Sequence, residues 1–110
     1  MNRDIIFLKG IIDSINEIES FDTSVDKREE ILIERAVEKC IENIGEAANN
    51  LSSHIKNNYK HIPWNEIIAF RSRVVHDYFG YDRNFLWDVV DMHIATLKQS
   101  ILQILKEIEG

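Results

Sequence analysis

Apolar residues recur every three or four positions through most of this chain, the period that lines up one face of an α-helix. Ile5, Leu8, Ile12, Ile15 and Ile18 keep that spacing and predict a first helix over 2–20. Phe21 to Val25 is short and polar, as a connection between antiparallel neighbours tends to be. Asp26 followed by Glu29 reads as a carboxylate cap with a second acid in the first turn, which starts a second helix running to about Ser52. Val37, Cys40, Ile44, Ala47 and Leu51 form its main stripe, and Ile41 and Ala48 widen that stripe enough to serve two neighbours. Gly45 interrupts it, at a cost of about 1 kcal/mol relative to alanine, so another helix is expected to come close there.

Residues 54–62 read as a polar, basic connection with room for a helical turn. Pro63 fits the first position of a third helix, where its missing N–H is harmless. That helix runs from Trp64 to about Tyr78, and Gly80 is placed to end it. Asp82 then caps a fourth helix with Val90, Ile94, Leu97, Ile101, Ile104 and Ile108 along one face. The simplest packing of these pieces is an all-α, four-helix up-and-down bundle.

One residue breaks the pattern. At about 100° per residue, Trp64, Ile67, Ile68, Val74, Val75 and Tyr78 share a sector of the third helix, and Arg71 falls near its middle. A charged guanidinium in an apolar stripe is costly unless it is paired or faces a cleft. It is therefore an arginine buried against a carboxylate, a stem whose head reaches water, or a cleft residue. Tyr78, two turns on, projects from nearly the same face, whereas His76 lies about 140° away. Ser72 precedes His76 by four residues and is placed to hydrogen-bond its ring; Arg73 and Asp77 stand at the same spacing and read as a surface ion pair.

Composition narrows the picture further. With 110 residues, 45% hydrophobic and 29% charged, the chain is expected to be one globular domain over 1–110. One proline and four glycines are too few for a turn-rich β-fold. The single cysteine, Cys40, lies on the apolar stripe and reads as a buried thiol. The apolar run Ile5–Leu8 is too short for a signal peptide or a membrane span, so a soluble, cytoplasmic protein without membrane contact is expected.

The net charge of −6 argues against broad attraction to nucleic acid, but it is unevenly spread. Between His54 and His76 stand Lys56, Lys60, Arg71 and Arg73 against Glu66 alone, a local +3 on a body of −9. An RNA partner would meet that patch. The four histidines, His54, His61, His76 and His93, show no H-x-x-x-H spacing and no cysteine pair accompanies them, so neither metal nor other cofactor is expected. His61 and His93 read as structural or surface residues. Glu46, beside Gly45, faces away from the main stripe as a solvated acid or as one that faces the site or a second copy.

The string Arg71-Ser72-Arg73-Val74-Val75-His76-Asp77-Tyr78 has the form R-x-x-x-x-H-x-Y. With Pro63-Trp64 before it, Phe79-Gly80-Tyr81-Asp82 after it and Ile44-Gly45-Glu46-Ala47 in the second helix, it resembles the HepT-like ribonuclease toxins of the HEPN superfamily. The resemblance spans helices two to four; the first helix agrees by length and pattern only. It implies a toxin of a toxin–antitoxin pair, a metal-independent endoribonuclease with Arg71, His76 and Tyr78 in its site and Ser72 and Glu46 in support. It implies a symmetric homodimer in which two motifs face one cleft, and a minimal nucleotidyltransferase antitoxin that AMPylates Tyr78. Ser72 departs from the Asn or Asp often found after the arginine. That departure sustains an alternative, a HEPN protein that binds its nucleotidyltransferase and cleaves little or nothing.

Overall fold

The computed structural model describes residues 3–73 and 83–110. Among these there are six α-helices, one 3-10 turn and no strand: α1 (Arg3–Ser20), the turn (Val25–Lys27), α2 (Ile31–Asn49), α3 (Ser53–Asn58), α4 (Trp64–Arg73), α5 (Arg83–Met92) and α6 (Ile94–Glu109). The all-helical expectation holds, with two more helices than the pattern gave. No helix among the described residues is long and apolar enough to cross a membrane.

Long-range polar pairs fix the helix directions. Asp4 meets Ser52 and Glu17 meets Cys40, so α1 and α2 run antiparallel. Lys9 pairs with Glu109 and Lys98 with Glu19, so α1 and α6 do too. α2 is the central rod, packed against α1 on one side and α4 on the other. Leu8, Ile11 and Ile15 of α1, Val37, Ile41 and Ile44 of α2, and Ile101 and Ile104 of α6 are buried completely or nearly so. On α1 the inward position is therefore Ile11 rather than Ile12, which is half-buried. The width of the α2 stripe is used as expected, since Ile41 and Ala48 are fully buried while Ala47 is only partly so.

Two polar contacts anchor α1. The Asp4 carboxylate, itself buried, accepts from the Ser52 backbone N–H at 2.8 Å and from its hydroxyl at 2.6 Å. The same hydroxyl oxygen accepts from the N–H of Ile55 and so caps α3. Further along, the Cys40 thiol donates to Glu17 at 3.3 Å, and burial, reinforced by that carboxylate, pushes its pKa up to about 12. The thiol stays protonated at neutral pH and is no nucleophile.

Three boundaries differ from the sequence pattern. Asp26 does not cap α2; it lies inside the 3-10 turn, and the helix starts five residues later at Ile31. The cause is distant in sequence. Arg28 donates from Nε to the Thr23 carbonyl, lies 4.7 Å above the Trp87 ring and forks onto both carboxylate oxygens of Asp91 at 2.9 and 2.6 Å. A segment pinned to α5 in this way cannot continue α2. Next, α2 ends at Asn49 and not near Ser52, and Ser53–Asn58 forms the separate helix α3; α4 begins at Trp64 as expected, with the Pro63 carbonyl accepting from Ile67 N–H. Finally, the expected fourth helix is bent at His93, where φ is −121°. Its hydrogen bonds continue through the bend, from His93 to Val89 and from Leu97 to His93. The buried face of α5, Leu86 and Val89, leads at helical spacing to His93; the bend gives the inward place to Ile94 instead and leaves the imidazole exposed.

Candidate active site

The α2–α4 crossing is set by the absence of a side chain. A Cβ at Gly45 would lie 2.7 Å from the Arg71 backbone nitrogen, 3.0 Å from the Ile67 carbonyl oxygen and 3.1 Å from the Arg71 Cβ. Only glycine lets the two backbones approach this closely. The expectation of a close neighbour at Gly45 is met, and the neighbour is the turn of α4 that carries Arg71.

Trp64, Ile67 and Phe70 bury the inner face of α4, with the Trp64 indole N–H donating to the Tyr59 carbonyl at 3.1 Å. Arg71 stands beside that face, not within it. Its side chain is 37% exposed, and Nη1 donates to Glu46 Oε2 at 3.1 Å, with the Glu46 side chain 59% exposed. Of the possibilities that the sequence left open, the fully buried pair is excluded: the stem packs at the crossing and the head reaches the surface. An ion pair this open contributes only about 0–1 kcal/mol to stability. It sets the guanidinium beside Glu46, and four of its five N–H donors are outside that contact.

The next two residues point elsewhere. Ser72 donates its hydroxyl to the Ala69 carbonyl at 3.2 Å, so its oxygen is left to accept rather than donate. Arg73 lies across the helix from Arg71, with its guanidinium carbon 3.7 Å above the centroid of Phe85 on α5. The expected Arg73–Asp77 pair falls outside the described residues; the Phe85 contact, brought from another helix, leaves no sign in the i, i+4 spacing. His76, Asp77 and Tyr78 lie outside the described residues, as do Gly80 and Asp82 with the helix end and cap assigned to them.

Among the remaining candidates, His54 is within hydrogen-bond distance of Asn58 on its own helix, and His61 meets Tyr59 edge-on with ring centroids 6.4 Å apart. The Tyr59 hydroxyl donates to Glu107 at 2.6 Å, a contact that raises the tyrosine pKa and lowers that of the carboxylate. Among the described residues no group of three or more His, Cys, Asp or Glu side chains is gathered as a metal ion requires.

The model of the ribonuclease HepT-like family matches residues 11–104, from the core turns of α1 to those of α6. The chain belongs to that family. Its HepT-like relatives include a protein of Methanocaldococcus jannaschii named as a candidate RNase, 35% identical over 98% of this chain and 93% of the relative. Another, from Thermococcus cleftensis, is named as a candidate ribonuclease HepT and is 33% identical over 84% of this chain and 86% of its own length. A larger Methanocaldococcus jannaschii protein, named as a gamma-glutamylcyclotransferase and candidate RNase, is 37% identical over 99% of this chain, which spans 51% of that relative. No solved structure matches this HepT-like chain. The likeness thus includes α1, which the motif left to length and pattern alone.

Proposed function

We propose that this HepT-like chain is a metal-independent endoribonuclease, the toxin of a pair whose antitoxin is a minimal nucleotidyltransferase. Family membership supports the ribonuclease reading. The observation that carries it on this chain is Arg71, a part-exposed guanidinium set beside Glu46 at the glycine crossing, with four of its five N–H donors outside that contact.

In the proposed reaction a base removes the proton of a ribose 2′-hydroxyl, the 2′-oxygen attacks the adjacent phosphorus, and the 5′-oxygen leaves with a proton from an acid. The products end in a 2′,3′-cyclic phosphate and a 5′-hydroxyl. Arg71 neutralises the charge that builds on the phosphate oxygens, through a planar fork suited to that geometry. His76 serves as base or acid, histidine being the side chain whose ordinary pKa lies near neutral pH. One imidazole cannot readily do both at once; a two-fold dimer supplies the second. Tyr78 orients the phosphate or ribose. Glu46 positions Arg71, and Ser72 supports the same turn of helix. In the dimer, the outer side of α4 and the exposed Glu46 of α2 belong to the shared surface, while Gly45 is covered by α4 of its own chain. Light scattering at micromolar concentration should accordingly give twice the chain mass; a monomer would count against the cleft.

The antitoxin acts on the same site by transferring AMP to Tyr78. The phenolic oxygen attacks the α-phosphorus of ATP, pyrophosphate leaves, and the phenolic proton passes to solvent. The added phosphate then competes for Arg71 while the adenosine obstructs the cleft. After co-expression with the nucleotidyltransferase, mass spectrometry should find one or more AMP units on the peptide containing Tyr78, absent in Tyr78→Phe. A neutralised but unmodified toxin would overturn this step. One observation favours a second reading, the non-cleaving partner of a nucleotidyltransferase: the Ser72 hydroxyl is turned to its own helix. A cleavage assay separates the two.

A further inference from the structure

Arg71 and Arg73 leave the last turn of α4 on opposite sides, the first toward α2 and the second toward α5. On the Arg73 side, α4 does not close against α6. A groove of about 620 Å³ lies between α4 and the α5–α6 bend, within the size range of small-molecule sites. Its floor is apolar, with Ile67, Phe70, Val89 and Leu97, and the rings of Phe70 and Phe85 meet edge-to-face at 6.0 Å. Its rim is charged or titratable: His61, Glu66, Arg73, Asp88 and His93. Exposed Met92, an adaptable apolar side chain, borders the same opening.

We propose that this groove receives one unpaired nucleobase of the RNA, from the class that carries an amino group, stacked on the outer face of Arg73. The proposal rests on the ribonuclease reading above and adds a substrate contact to it. The rim selects the occupant. A flat ligand with apolar faces and polar edges matches both floor and rim. Arg73 is already laid on Phe85, and a guanidinium plane supported from beneath by an aromatic ring is a surface on which bases stack. Glu66 and Asp88 offer only acceptors when ionised. They can take hydrogen bonds from the amino groups of adenine, cytosine or guanine, whereas uracil offers them only N3–H, flanked by two carbonyl oxygens that they repel. Arg71 and Arg73 are separated by the width of α4, about 10–12 Å with side chains, so the base comes from a nucleotide neighbouring the cut and not from the cut itself.

The test measures binding, so that it does not depend on cleavage. Fluorescence anisotropy with a labelled single-stranded RNA octamer and the His76→Ala protein gives a dissociation constant, which is compared across octamers carrying one abasic residue at each position. One position should weaken binding about tenfold when its base is removed, the usual size of a stacking contact. Uridine at that position should bind more weakly than adenosine or cytidine. In Thr96→Trp, a substitution at an exposed rim position that fills the groove, the sensitivity should disappear, and in Arg73→Ala it should shrink. Tight binding that is indifferent to every abasic substitution overturns the groove assignment and leaves the ribonuclease reading standing. So does a sensitivity that persists in Thr96→Trp, or binding of free 5′-AMP without any abasic effect. Uridine bound as tightly as adenosine overturns the role of the acidic rim. Failure to bind any of the octamers overturns both readings.

Discussion

Arg71→Ala is expected to lower the rate of RNA cleavage about 10²-fold or more while leaving helical circular dichroism and thermal stability nearly unchanged. The comparison of magnitudes decides this. Removing one donor to a transition-state oxyanion costs roughly 3–4 kcal/mol of catalysis. Removing an ion pair as open as Arg71–Glu46 costs about 0–1 kcal/mol of stability. Activity must therefore fall far more than folding does. Arg71→Lys keeps the charge but loses the fork and the fixed geometry, and belongs between the two. The checks are initial rates on single-stranded RNA alongside thermal melts. A variant that unfolds, or one that cleaves at the wild-type rate, would remove Arg71 from the reaction.

Gly45→Ala is the second large effect, and its sign runs against helix propensity. Alanine in a helix interior ordinarily stabilises by about 1 kcal/mol over glycine. Here the new methyl would sit 2.7 Å from a backbone nitrogen and 3.0 Å from a carbonyl oxygen of α4, and backbone cannot rotate away as a side chain would. Overpacking of this kind costs about 1–3 kcal/mol, so the net change is destabilising by up to about 2 kcal/mol. At about 4–8 °C per kcal/mol, a lowered midpoint is readily measured. The loss of activity should exceed what stability explains. The strain falls on the turn that carries Arg71, and a displacement of about 1 Å at a reacting group costs on the order of 10² in rate. Gly10→Ala supplies the control, since a Cβ there meets nothing within 4 Å and should raise the midpoint. A Gly45→Ala protein more stable than wild type would show that the crossing is not as tight as its geometry implies.

Much of this architecture was legible from spacing alone. The 3-4 stripes on α1, α2 and α6 located the core to within a residue, and Gly45 announced a close approach without naming its partner. Arg71 drew attention because a charge in an apolar sector demands a reason. The start of α2 was not legible, because Asp26 has the composition of a cap and lost the role to Arg28, whose anchors Asp91 and Trp87 lie some sixty residues away. The bend at His93 was hidden because the apolar stripe resumes at Ile94 with only a one-step change of register. At the site, no local pattern links Glu46 to Arg71 or Arg73 to Phe85. Both contacts are made by helix packing, and each crosses from one helix to another.

The central claim is that this HepT-like chain cuts RNA by acid–base chemistry that needs no metal. The direct measurement incubates the purified protein with single-stranded RNA and with tRNA in excess EDTA, beside His76→Ala, and identifies the ends of the fragments. The account predicts fragments ending in 2′,3′-cyclic phosphate and 5′-hydroxyl, at a rate unaffected by the chelator and abolished in His76→Ala. No cleavage by the wild-type protein, cleavage that stops with EDTA, or cleavage that survives His76→Ala would contradict it.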